Sequence, residues 1–195
     1  TNTTKKDKYP PVIPFYSSPE TETSQEKQVE VNTTTHTVLY DHTKPNGNKY
    51  KIEIDCFEGG TPEKWIEHMK HVKLVADGNN ITDPSELHQL WMSTLGSKPK
   101  TIFEQTWKDA ESKNRKAITA AWRKVSEYIF PKRALRTQRR YLTRALWKKR
   151  ETSNREFFTR LEELNEDLVY FPPFKGKGQR LDEDQLIDIQ LEANP

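Results

Sequence analysis

Residues 50–56 alternate strictly, with Tyr50, Ile52, Ile54 and Cys56 on one side and Lys51, Glu53 and Asp55 on the other. A period of two puts these sets on opposite faces of a strand, and the apolar face has to pack on something. A second arm, residues 36–40, lies across an Asn46-Gly47 pair, a strong short-range signal for a tight turn. Residues 36–56 are therefore expected to form a short β-hairpin. Pro45 and the extra loop residues leave the turn type open.

After Phe57-Glu58-Gly59-Gly60 the apolar period changes to that of a helix, and punctuation residues mark each element. Thr61 caps a first helix with Pro62 in its first turn and Trp65, Met69, Val72 and Ala76 on one stripe; Asp77-Gly78 ends it. Asp83-Pro84-Ser85-Glu86 has the form of a capping box and opens a second helix through Leu87, Leu90, Trp91 and Leu95, which Gly96 stops. A third helix begins near Pro99 and carries Ile102, Phe103, Trp107 and Ala110. A fourth carries Ile118, Ala121, Trp122, Val125 and Ile129 and ends before Pro131. The fifth has Leu135, Leu142, Ala145 and Leu146 as its apolar stripe. Ser153 and Glu156 form another capping box before a sixth helix with Phe157, Leu161, Leu164 and Leu168, broken by Phe171-Pro172-Pro173. Residues 175–180 read as a polar linker, and Asp182 starts a seventh helix that the end of the sequence cuts short, as in a piece of a longer protein. The expected core is Trp65, Met69, Trp91, Phe103, Trp107, Trp122, Leu142, Phe157, Leu161 and Leu164.

Composition changes this picture at the N-terminus. Only 32% of the 195 residues are hydrophobic, and residues 1–35 are especially poor in them. Such a segment buries too little surface to offset its ordering entropy, so a disordered leader is expected there. No run approaches the roughly 18 apolar residues of a membrane span, and no signal peptide opens the chain. Neither a membrane partner nor an extracellular setting is expected.

The net charge of +3 conceals a segregation. Residues 132–150 contain nine bases and no acid, whereas residues 151–195 contain eleven acids against five bases. Arg136, Arg139, Arg140 and Arg144 fall on one helix face, followed by Lys148 and Lys149, with Tyr141 and Trp147 interleaved. That pattern suits phosphate contact with base stacking. It equally suits a solvated face, or one paired with the acidic region that follows.

Catalytic chemistry finds no foothold. There is no Gly-rich phosphate loop, since Gly176-Lys177-Gly178 lacks the spacing, and no nucleophile elbow. A single cysteine, Cys56, rules out an intrachain disulfide and a Cys-rich zinc site. His68 and His71 could share a metal only with a third ligand that no motif supplies. No catalytic residue, cofactor, metal or small-molecule substrate is expected.

The run Phe57-Glu58-Gly59-Gly60-Thr61-Pro62-Glu63-Lys64-Trp65 resembles the F-x-G-x-x-P-x-x-W opening of capsid regions in retrotransposon Gag polyproteins. Leu95-Gly96 with Phe103 and Trp107 is similar to that family's small-residue turn and aromatic helix. Ser153-Asn154-Arg155-Glu156-Phe157 resembles its S-x-x-E-F segment, where the second capsid lobe begins. Residues 134–144, Glu163-Leu164-Asn165, Phe171-Pro172-Pro173 and residues 181–189 look particularly like Gag proteins of elements from algae and water moulds. The zinc knuckle of many Gag proteins is absent.

The fold expected is mostly α: a disordered leader (1–35), the hairpin (36–56), an antiparallel helical bundle like a capsid N-lobe (57–150) and the start of a second helical lobe (151–195). The resemblance implies a structural, non-enzymatic protein that forms homo-oligomeric shells around element RNA, in cytoplasmic virus-like particles or in the nucleus. It implies only weak RNA contact by this fragment, and Arg136, Arg139, Arg140, Arg144, Lys148 and Lys149 are the expected nucleic-acid or inter-subunit contacts. The alternative is a monomeric basic nucleic-acid-binding domain that uses residues 132–150.

Overall fold

In the computed structural model, which describes residues 37–43, 47–146, 148 and 152–193, the alternating segment is one arm of an antiparallel hairpin. Strands β1 (Thr37–Thr43) and β2 (Lys49–Asp55) pair with Tyr40 opposite Ile52 and His42 opposite Tyr50. This register puts Val38, Tyr40 and His42 on the same face as Tyr50, Ile52 and Ile54. The first arm thus runs three residues beyond the expected 36–40, because Tyr40 and His42 continue the inward alternation. The expected leader, most of the hairpin turn, Trp147, Lys149 and Arg150 lie outside the described residues.

Seven α-helices follow among the described residues: α1 (Pro62–Gly78), α2 (Pro84–Thr94), α3 (Ser97–Asp109), α4 (Arg115–Ile129), α5 (Ala134–Arg144), α6 (Asn154–Asp167) and α7 (Glu183–Glu192). Their starts are set locally. The side chains of Thr61, Asp83, Ser153 and Asp182 each accept a hydrogen bond from the backbone N–H three residues on, satisfying a donor the helix leaves free. Ser153 and Glu156 form a complete capping box, as do Asp182 and Gln185. At α2 only half of the expected box forms, because the Glu86 carboxylate is turned toward His42 of β1.

The chain divides into two compact units at Ile129/Phe130. The S-x-x-E-F resemblance at Ser153–Phe157 puts the expected boundary after residue 150, whereas α5 groups with α6 and α7, against which it packs.

The first unit comprises the hairpin and α1–α4. Phe57 leads out of β2 into a short parallel bridge with Leu95: its N–H donates to the Thr94 carbonyl at 2.8 Å, and Gly96 N–H donates to its carbonyl at 2.9 Å. Around this bridge the rings of Phe57, Trp65, His68, Trp91 and Phe103 lie in contact, with centroids 5.1–6.1 Å apart. Trp65 is fully buried, and its indole N–H donates to Ser126 Oγ at 2.7 Å, which in turn donates to the Trp122 carbonyl at 2.8 Å. Met69, Trp91, Phe103 and Trp107 are buried as expected. Trp122 is not; it is half-buried, with the Arg123 guanidinium 5.6 Å from its ring centre. The inward side of α4 is taken by Ala117, Ile118, Ala121, Val125 and Ser126.

The second unit comprises α5–α7 and two 3-10 turns, Leu168–Tyr170 and Gly176–Gln179. Its core holds Leu142, Phe157, Leu161, Leu164, Leu168, Phe171, Leu181 and Ile189, with the Phe130 and Phe171 rings 4.7 Å apart. The stretch read as a polar linker is pinned rather than loose. Gln179 is buried and donates to the carbonyls of Leu168 at 2.6 Å and Phe171 at 2.9 Å. Asn165 is likewise buried and clamps the Leu181 backbone, donating to its carbonyl at 3.2 Å and accepting from its N–H at 2.7 Å. Replacing Asn165 with Leu orphans both Leu181 groups and is expected to cost about 1–3 kcal/mol, read from urea denaturation. An unchanged midpoint would mean that water reaches Leu181.

Candidate interaction surface

α5 opens after Pro131 with Arg133 in a left-handed conformation (φ 66°) and buries Ala134, Gln138, Tyr141 and Leu142. These positions, i, i+4, i+7 and i+8, form one stripe. The outward side then falls to Arg136, Arg140 and Arg144, all exposed, with half-buried Arg139 beside them. Two expectations need correction. Ala145 lies past the helix end and is exposed, so it is no part of the stripe. Tyr141 faces the core, where its ring cannot stack on a base, because its spacing from Ala134 and Leu142 aligns it with them rather than with the arginines.

Lys148 is half-buried and donates to the Thr152 carbonyl at 3.3 Å, which ties it to the start of α6. Lys149 lies outside the described residues. Arg144, in the last turn of α5, also suits the negative end of the helix dipole.

The acidic segment that follows does not, among the described residues, neutralise the arginines. Among the described residues, none of the Arg136, Arg139, Arg140 and Arg144 guanidiniums makes an ion pair. The pairs described in that unit are Arg160–Glu163 at 3.4 Å and Arg180–Glu166 at 3.9 Å. On α7, Glu183, Asp184, Asp188 and Glu192 are exposed and stand outside those pairs. The second unit therefore presents cationic and anionic helix faces that do not compensate each other.

In the first unit, several polar contacts join the hairpin to the helices. Buried His42 meets the Glu86 carboxylate through Nδ1, the Tyr40 hydroxyl donates to the Glu86 carbonyl at 3.4 Å, and the Tyr50 hydroxyl donates to Asn79 Oδ1. Sequence reasoning missed the His42–Glu86 pair because it ended the first strand at Tyr40 and assigned Glu86 to the cap. Extending the alternation to His42 was the available signal.

His68 is buried among aromatic rings, and burial, with His71 nearby, pushes its imidazole down to about 4. No group of three or more metal-ligating side chains gathers among the described residues. Cys56 is buried and its thiol is pushed up, first by burial and then by Glu58, which opposes the reactive thiolate form. No helix among the described residues is long and apolar enough to cross a membrane.

Comparison with known proteins, by family model, by curated sequence and by solved structure, gives no match for this chain.

Proposed function

We propose that this chain is a self-assembling structural module of the Gag capsid kind, whose copies associate into a shell that packages element RNA. The observation that carries the reading is the uncompensated charge of the second unit, with arginines on α5 and carboxylates on α7 unpaired with each other. A body with separate faces of opposite sign attracts copies of itself, and its field favours their encounter. The motifs that resemble Gag capsids bear on the same reading, since Phe57 and Trp65 meet in the core of the first unit and the Ser153–Glu156 box opens α6.

The unpaired arginines also suit the second reading, a monomeric domain that binds RNA through α5. Burial of Tyr141 weighs against it by removing one of the two aromatic groups that base stacking would use.

Light scattering over a concentration series without nucleic acid, beside RNA binding at two salt concentrations, tests the proposal. Reversible association and weak, salt-sensitive RNA binding are expected. Replacing Arg136, Arg139, Arg140 and Arg144 with Gln should alter association. In the second reading it should remove most RNA binding and flatten its salt slope by about 0.7–0.9 per lost phosphate contact. A strict monomer at high concentration that binds RNA tightly would overturn the assembly reading.

A further inference from the structure

α7 carries a face that its own unit leaves uncovered. Ile189 points into the core while Ile187 and Leu191 are 45% and 69% exposed. Standing four residues apart, these two form one stripe. Asp184, Asp188 and Glu192 run beside it, with Glu183 at its start, and all four carboxylates are exposed.

An apolar pair bordered by carboxylates repels phosphate backbones and acidic membrane surfaces. It fits a cationic surface with apolar stems. Arginine supplies both, because its methylene stem lies along apolar side chains while its guanidinium reaches a carboxylate, often through two parallel hydrogen bonds.

The arginine face of α5 has the matching dimensions. Arg136, Arg140 and Arg144 recur at i, i+4 and i+8, and so do Asp184, Asp188 and Glu192. Four residues advance a helix by about 6 Å, so the two ladders have rungs of equal rise and equal angular drift. Within one copy α5 and α7 are packed neighbours, yet no ion pair joins these rungs among the described residues. A second copy can supply the partner that the first does not.

We propose that α7 of one copy docks through Ile187 and Leu191 onto the α5 arginine face of another, with Asp184, Asp188 and Glu192 facing Arg136, Arg140 and Arg144. This contact rests on the self-assembly reading and identifies the surface through which it occurs. One helix against another is a small interface, of the weak and reversible class below about 1,200 Å².

Charge reversal with complementation tests it on the whole chain. One variant carries Asp184→Arg with Asp188→Arg, the other Arg136→Glu with Arg140→Glu; all four positions are exposed, and circular dichroism checks the fold. Each variant alone should associate roughly 100-fold or more weakly than the parent, because like charges now face each other. An equimolar mixture should regain association, because each reversed face then meets its complement. Ile187→Ser with Leu191→Ser, which leaves every charge in place, should weaken association as well. Undiminished association of all the variants would overturn this contact and leave self-assembly standing, and so would loss that mixing does not restore. A parent chain that stays monomeric throughout would overturn both.

Discussion

Replacing Trp65 with Ala is expected to lower the stability of the first unit by about 3–5 kcal/mol, the range for truncating a large buried aromatic side chain. The ring is fully buried between Phe57, His68 and Trp91, and its N–H is held by Ser126. Truncation empties the centre of the aromatic cluster and frees the Ser126 hydroxyl from its donor. The same change at Trp122, half-buried and covered by Arg123, should cost clearly less. Both tryptophans lie on apolar stripes in the sequence, so pattern alone would give them equal weight. Urea denaturation of the two variants separates them, and equal losses would mean that the inward face of α4 is misassigned.

Acid is expected to destabilise the same unit through His68. Its imidazole titrates at about 4 in the folded chain against an ordinary 6.5. Between these values the unfolded chain takes up a proton that the folded chain refuses, so stability falls as pH drops from about 6.5 toward 4. The loss approaches about 3 kcal/mol at the lower end. Above pH 6.5 the imidazole is neutral in both states and contributes no slope. His68→Gln should flatten the pH dependence by that amount while costing some packing at neutral pH. His88, whose imidazole burial also pushes down, is present in parent and variant alike and cancels in the comparison. Denaturant midpoints at pH 7, 5.5 and 4 provide the measurement, and parallel curves for parent and variant would sink the assignment.

Most helix starts were legible in the sequence because each is a local event. Thr61, Asp83, Ser153 and Asp182 cap through backbone groups three residues away, and the change of apolar period at Phe57-Glu58-Gly59-Gly60 is visible to the eye. Most core positions followed from the same periodicity, since a stripe such as Phe157, Leu161 and Leu164 has one side to bury. The candidate arginine face was also legible, because the i, i+4 and i+8 spacing of Arg136, Arg140 and Arg144 puts them on one side of a helix, and the structure leaves all three exposed.

Tertiary structure decided whatever depends on partners distant in sequence. It chose Ser126 over Trp122 for the inward side of α4 and turned Glu86 from its cap to His42. It made Asn165 and Gln179 buried clamps rather than surface polar groups. It also put α5 with the helices that follow rather than those that precede. A capping bond closes within one turn of chain, so the sequence determines it. Periodicity selects the side of a helix that can be buried, but which of its residues meet the core and how buried polar groups pair depend on the distant elements packed against it.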